Sequence, residues 1–430
     1  MLIFIENTPR DYAWGSRDAL PEMLGIEPTG EPQAELWLGA HPGSPAHVAK
    51  ATSAPRTLID LIESDPERWG VDGGQLPFLL KVLAIGAPLS LQVHPDRDQA
   101  RAGYAAEDAA GIPLEDPSRN YGDENHKPEL LVALGEVMAL SGFRDVSDAR
   151  RDLTRLAAAA RAAGDEAGAD AIEACGDRLA GGDPAERRLD FLRWAFGKDP
   201  IVPAALAAIC RVIGDGDPER AAAIADGCDD WDADRARALG ALVAAHPADP
   251  GLLVSLLLHV VRLAPGEAIY LRPRQLHAYL GGVAVEAMAA SDNVLRAGLT
   301  RKHVDIDELC RVVEPTELAE PRLFPIVLAP GLVAWRPDVP DFQLMRARLL
   351  EPEQDEWRRI GPGDAAEEVV VPAHRPIVLV VVSGRVRIER PSAALAEVAT
   401  ARRGQSLYVS AGEPIVLTGH GDVFLATVGA

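Results

Sequence analysis

Pro88-Leu-Ser-Leu-Gln-Val-His-Pro-Asp96 alternates apolar and polar positions, the period of a β-strand with one face toward a core. Residues two apart on a strand share a face, so Gln92 and His94 are expected to project together. Two later stretches supply partners: Glu129 in His126-Lys-Pro-Glu129, and His277 in Arg274-Gln-Leu-His-Ala-Tyr279. One amide oxygen, two imidazoles and one carboxylate make a shell suited to a zinc-type ion with a position open for substrate. The chain thus reads as a metalloenzyme.

Around this motif the chain changes texture twice. Up to about residue 146 it is strand-rich and loop-rich, with short apolar runs such as Phe78-Leu-Leu-Lys-Val-Leu-Ala84. Ser147 is placed to cap a helix whose apolar positions Leu153, Leu156 and Ala160 recur at helical spacing, with Gly164 as its end. Asp183-Pro184 and Asp217-Pro218 repeat the cap-then-proline signature of a helix start. Residues 147–248 are therefore expected to form one inserted α-helical domain. Leu252-Leu-Val-Ser-Leu-Leu-Leu258 is either strand or buried helix, and Val260–Leu263 reads as strand running into the Pro265-Gly266 turn. In the last segment, strands are expected at Glu368–Val371, Ile377–Val382, Val386–Glu389, Leu407–Val409 and Ile415–Leu417, with a hairpin turn at Ser383-Gly384.

Composition narrows the function. With 430 residues, 47% hydrophobic and 25% charged, the chain has ample length for two or three domains with buried cores. A net charge of −22 argues against nucleic acid and anionic membrane surfaces, and it obliges any anionic substrate to find a local cationic patch. Arg296-Ala-Gly-Leu-Thr-Arg-Lys302 is the candidate patch. No apolar run is long enough to span a bilayer. The scattered Cys175, Cys210, Cys228 and Cys310 suggest reduced thiols in a cytoplasmic protein.

Pro265-Gly266 followed by Pro273-x-x-x-His277 resembles the second half of a cupin signature, and Gln92-x-His94 resembles the first half with glutamine in place of a histidine. Cupins are small antiparallel jelly-roll barrels. Arg403-Gly-Gln-Ser-Leu-Tyr-Val-Ser-Ala-Gly412 has the same look without a metal set. The expected fold is mainly β with an α-helical insertion: two cupin (jelly-roll) barrels plus a helical domain. Residues 1–146 with 249–318 form the catalytic cupin, 147–248 the helical insertion, and 319–430 a metal-free cupin-like domain.

Tyr12-Ala-Trp-Gly15, Ala34-Glu-Leu-Trp-Leu-Gly-Ala-His41, Leu89–Asp96, Asn125-His-Lys-Pro-Glu-Leu130, and His277 through Thr300 run in one order along the chain. In that order they resemble type I mannose-6-phosphate isomerases (phosphomannose isomerases), the zinc-dependent class. The stretch Val285–Thr300 is the most specific of them. The resemblance implies one zinc per chain on Gln92, His94, Glu129 and His277, and a catalytic arginine at Arg296. It places Ser90 and Lys302 where the family handles phosphate, and Lys127, Glu286, Asp292, Tyr279, Trp14 and Glu35 in or near the pocket. Ala13 stands where many members have Asp, and Leu276 where Pro often precedes the ligand histidine.

The implied reaction interconverts mannose 6-phosphate and fructose 6-phosphate through an enediolate. It needs stabilisation of a negative oxygen, a group that takes and returns a proton, and a phosphate anchor. Zinc with one carboxylate ligand and three neutral ones keeps a formal charge of about +1 and acts as Lewis acid. Glu286 is the first candidate for the proton carrier and a neutralised Lys127 the second. Arg296 suits electrostatic stabilisation or a lid, or else a salt bridge to Asp292; Lys302, with Arg301, suits the phosphate. His126 reads as supporting the metal ligands, and His41, His47, His246, His259 and His303 as surface or core. The rival readings are a metal-dependent cupin oxygenase, which Gln92 as a fourth ligand would crowd, and a non-catalytic sugar-phosphate sensor. Oligomeric state is open, with a monomer the simpler reading.

Overall fold

The computed structural model describes residues 1–51, 56–71, 74–214, 233–350, 364–391 and 396–429. Its first barrel is organised by one long strand, His277–Ala289, of 13 residues. The second half of that strand pairs antiparallel with the wholly buried Phe78–Ile85 on one side and with Glu129–Ala133 on the other. The first half pairs with Val137–Phe143 and with Gln92 of the short strand Gln92–Val93. A kink at Gly281-Gly282 separates the halves. Gly282 has φ 114°, and a Cβ there would lie 2.3 Å from the Glu136 carbonyl oxygen, so only glycine fits. One strand thereby serves both sides of a nine-stranded sheet.

The C-terminal barrel repeats the device. Ile415–Thr427, also 13 residues, bends at Gly419 and Gly421, both at φ 111°. Its first half pairs with Arg385–Glu389 and Glu368–Val371, its second with Ile377–Val381 and Gln343–Leu349. The hairpin expected at Ser383-Gly384 is not formed. Val381 faces Val423 and Arg385 faces His420, so the two segments are successive parts of one bent strand lying along the same neighbour. The amides of Val382 and Ser383 both reach the Asp422 carbonyl, 3.0 and 3.4 Å away, the two-against-one pattern of a β-bulge. The sheet has eleven strands, and Leu2–Glu6 is one of them: it lies against Ser406–Val409 from Leu2↔Val409 to Ile5↔Ser406.

Alternation along Phe78–Ile85 assigns its two faces. Phe78, Leu80, Val82 and Ala84 pack outward against Trp335, Phe342, Val378, Tyr408 and Phe424 of the C-terminal barrel. Each large apolar side chain buried in that seam contributes roughly 1.5–3 kcal/mol. Leu83 and Ile85 point into the first barrel with Leu131, Ala139, Ile269 and Tyr279.

Helices cover the remaining side of the barrel. Val146–Ala162 begins at Asp145, whose side chain accepts the Ser147 amide; the expected cap is displaced by two residues because the acidic side chain, not the hydroxyl, reaches the free amide. Pro184–Ala195 starts at Asp183 as expected. Glu166–Arg178, Ile201–Ile213 and Ala233–Ala245 complete the described bundle, and Asp217-Pro218 lies outside the described residues. The ambiguous run after Pro250 resolves into a short helix, Gly251–Ser255, then the strand Leu258–Leu263. Leu153, Leu156, Ile172, Phe191 and Leu239 pack through Leu252–Leu258 onto Leu140 and Leu276 of the barrel. A buried Asp152, paired with Arg144 and 3.3 Å from Arg235, fixes the docking. Cys175, Cys210 and Cys310 are free thiols, and Cys228 falls outside the described residues. Among the described residues no helix is long and apolar enough to cross a membrane.

Candidate metal centre

Three strands lie side by side at the mouth of the first barrel. Arg296 of Leu295–Arg296 faces Gln92, and Gln92 faces His277. Facing residues put their side chains on the same side of a sheet, so Arg296, Gln92 and His277 form a row. His94 is not on that ladder: the strand stops at Val93, because Pro95 has no N–H with which to continue it. Instead the His94 carbonyl accepts the Arg274 amide at 2.6 Å, and its ring Nδ1 sits 2.6 Å from the Asn293 carbonyl.

The two imidazoles converge on one carboxylate. His94 Nε2 lies 3.4 Å from Glu129 Oε1, and His277 Nε2 lies 3.4 Å from Glu129 Oε2. One candidate ligand atom from each of the three lies within 4.8 Å of the others. His277 Nδ1 contacts the Gln275 carbonyl at 2.9 Å, as His94 Nδ1 contacts that of Asn293. An N–H at each Nδ1 leaves a bare lone pair at Nε2, and both Nε2 atoms are buried without a hydrogen-bond partner. Buried lone pairs left unmatched are costly; two of them facing a carboxylate fit zinc. Burial brings the His94 imidazole down to about 4 despite the pull of Glu129, so it is neutral at pH 7. Burial pushes the Glu129 carboxyl up, but the Lys127 ammonium, 3.1 Å away, pulls the other way and Glu129 stays well below the usual range.

Deeper in, a second charged cluster replaces what would be barrel core. Lys81 Nζ lies 3.4 Å from Glu286 Oε2 and 3.6 Å from Glu35 Oε2, and 4.7 Å above the Trp37 ring. The Tyr279 hydroxyl donates to Glu286 Oε1 at 2.9 Å, and Trp37 Nε1 donates to Glu35. Burial would lower the Lys81 ammonium, but Glu35 and Glu286 hold it above its ordinary value. Burial, reinforced by Glu129, pushes Glu286 up to about 7 against the pull of Lys81 and Lys127. Burial and Glu286 also raise Tyr279 well above its usual range.

A cavity of about 540 Å³ joins these groups, and every expected site residue except His94 and His277 lines it. Lys127, Glu129, Tyr279 and Glu286 are buried along it; Trp14, Glu35, Ser90, Gln92 and Arg296 are half-buried; Asp292 and Lys302 are exposed at its rim. The two missing from the lining stand behind Glu129. Among the described residues no carboxylate pairs with Arg296; Asp292 is instead 3.6 Å from Nε2 of the buried His41. Burial lowers Arg296, and burial followed by Arg296 lowers Lys302. His126 is held from behind, 2.8 Å from Asp341 of the C-terminal region.

Sequence reasoning missed Lys81, Trp37 and His246, all of which line the cavity. Lys81 had a signal: it is the one charge in the apolar run Phe78–Ile85, and a buried lysine needs partners. His246 had none, since nothing local shows that the end of the helical segment turns toward the pocket.

A family model of the phosphomannose isomerase type I catalytic domain matches residues 2–146. The mannose-6-phosphate isomerase of Escherichia coli K12 is 39% identical over 309 residues, 70% of this chain and 72% of its own length. That of Bos taurus is 30% identical over 429 residues, covering 95% and 93%. Among solved structures, a phosphomannose isomerase variant from Salmonella typhimurium superimposes with TM-score 0.80 at 31% identity, and a zinc-bound mannose 6-phosphate isomerase with TM-score 0.79 at 32%, each covering 100% of both chains.

Proposed function

Because this chain belongs to the type I phosphomannose isomerase family, we propose that the charged pocket of its first barrel carries out that family's reaction. The activity is zinc-dependent interconversion of mannose 6-phosphate and fructose 6-phosphate, an aldose–ketose isomerisation. The observation that carries it is the convergence of two unpartnered imidazole nitrogens on Glu129 at the head of a cation-rimmed cavity.

Zinc, when bound, supplies a Lewis acid for the substrate oxygens. His94, Glu129 and His277 are the residues to hold it, with Gln92 as the neutral fourth ligand. The proton chemistry is then for the chain's own side chains. Isomerisation moves a proton from C2 to C1 of the open-chain sugar while a hydroxyl proton passes between O1 and O2. Glu286 is our proton carrier: at about 7 its carboxyl can both give and take near neutral pH. Lys81 and Tyr279 fix its two oxygens. Lys127 is better suited to holding charge than to carrying the proton, because its ammonium is engaged by Glu129 at 3.1 Å. Arg296 and Lys302 face the anionic end of the substrate with Ser90, and Trp14, Glu35 and Asp292 shape the sugar site. The unit of function is one chain with one zinc. The described part of 147–248 serves as an inserted helical domain, residues 319–430 as a structural barrel, and the free thiols suit the cytoplasm.

The test is turnover of mannose 6-phosphate before chelation, after it, and after zinc is restored. Activity that disappears and returns with zinc is the expected result. A folded, zinc-loaded chain that leaves mannose 6-phosphate untouched would remove the assignment.

A further inference from the structure

The loop that carries Arg296, Arg301 and Lys302 is stitched down on two sides. On one side its Ala297 amide donates to the Leu91 carbonyl at 2.8 Å and its Gly298 carbonyl accepts the Leu91 amide at 3.0 Å, tying it to the metal-bearing segment. On the other side stands a single carboxylate, Asp249, where the chain returns from the helical segment. Asp249 Oδ1 accepts the amides of Gly251 at 2.7 Å and Leu299 at 2.9 Å, and Oδ2 accepts that of Thr300 at 3.1 Å.

The backbone there is held where it would not rest unaided. Leu299 has φ 54°, a left-handed conformation that costs a branched side chain energy, and it is 1% exposed. Ala248, just before the carboxylate, is at φ 65°. Gly298 has φ 108°, and a Cβ on it would lie 2.7 Å from Gly251 Cα and 2.9 Å from Asp249 Oδ1. Gly251 is equally confined: a Cβ on it would lie 2.7 Å from the Leu299 amide nitrogen. Two close-packed glycines and two left-handed residues thus surround one acceptor that answers three amides. Without it, the Leu299 amide has no partner in a buried place, and the strained turn has no reason to persist.

We propose that Asp249 is a positioning residue for phosphate: by clamping Leu299 and Thr300 it sets the reach of Arg296, Arg301 and Lys302 into the cavity, and so controls affinity for the anionic end of the substrate. This rests on the sugar-phosphate reading above. It also gives the helical insertion a functional edge, because the segment ending in Ala245 and His246 lines the same cavity and is continuous with the clamp.

The experiment compares Asp249→Ala and Asp249→Asn with the parent chain, each zinc-loaded. It reads KM and kcat for mannose 6-phosphate, competitive inhibition by inorganic phosphate, zinc content and thermal unfolding. Losing the acceptor should raise KM and the phosphate inhibition constant together by about tenfold or more, with kcat within about threefold and zinc unchanged. Asn keeps one carbonyl acceptor for Leu299 but turns an N–H₂ toward Thr300, so it should fall between the two. If Asp249→Ala does not fold, Asp249→Asn is read alone and must still raise both constants. A fall in kcat at constant KM, or unchanged phosphate inhibition in a folded variant, overturns the proposal. Should the parent chain bind phosphate but not turn over mannose 6-phosphate, the functional reading fails, and phosphate binding measured by calorimetry still judges Asp249.

Discussion

The two barrels are built around matching 13-residue strands, His277–Ala289 and Ile415–Thr427, each kinked at glycines in its middle. Their interiors differ. In the second barrel the inward positions are Ile415, Leu417, Val423 and Leu425, meeting Leu379, Val381 and Val386. In the first, the long strand turns His277, Tyr279 and Glu286 inward, and they meet Lys81, Glu35 and Glu129. An apolar interior holds a barrel together by removing area from water. A charged interior must compensate each burial with a partner and gains little net stability. The first barrel can afford its site because both its outer faces are covered, one by the seam with the second barrel and one by the helices. Architecture is common to both; what separates the two interiors is about half a dozen charged and polar side chains pointing inward in the first.

Substitutions in matched places test this division. Glu286→Gln in the first barrel should lower kcat by roughly 10²–10⁴ while zinc content is kept, and the unfolding midpoint should fall, since the buried Lys81 loses one of its two carboxylate partners. The same change should erase the acidic limb of the pH profile. In the parent chain that limb rises with pH as Glu286 loses its proton, with its inflection at or below about 7, because bound zinc favours the carboxylate. An unaltered pH profile in the variant would mean another group carries the proton. In the second barrel, Leu379→Ala should touch stability alone: a loss of about 2–5 kcal/mol in denaturant unfolding, with KM and kcat of the folded fraction unchanged. A catalytic defect there would show the barrels to be coupled. At the rim, Lys302→Ala is the mildest change, raising KM about threefold to tenfold with kcat and stability unaffected, because the side chain is exposed. Steady-state kinetics across a salt series would sharpen it, since screening should shrink the difference.

What could be read from sequence follows the physics of each feature. His94, Glu129 and His277 are legible because a metal shell needs particular residue types, whereas Glu286 comes into view only through the family resemblance. Lys81 carries a signal of its own as the one charge in an apolar run, but its partners Glu35 and Glu286 come from strands that nothing local identifies. The misreading at Ser383-Gly384 has a different origin. A glycine pair-turn and a β-bulge use the same residues, and only the neighbour across the sheet, here Ile415–Thr427, tells them apart. The boundary of the strand at Val93 was likewise within reach, since Pro95 rules out further pairing. The clamp at Asp249 was not, because its partners Leu299 and Thr300 lie some fifty residues on.

The strand Leu2–Glu6, held between Ser406–Val409 and His47–Val48, sets a timetable for synthesis. Its principal partner lies some 400 residues further along the chain. At roughly 5–20 residues per second Leu2–Glu6 waits on the order of 20–80 s with an unpaired apolar edge. Until then the second barrel has a gap at Ser406–Val409, and a nascent first barrel trails a sticky ribbon. Closing the second barrel therefore splices together two strands some 400 residues apart. Fragments cut between the barrels should suffer for it, each lacking a piece the other half holds.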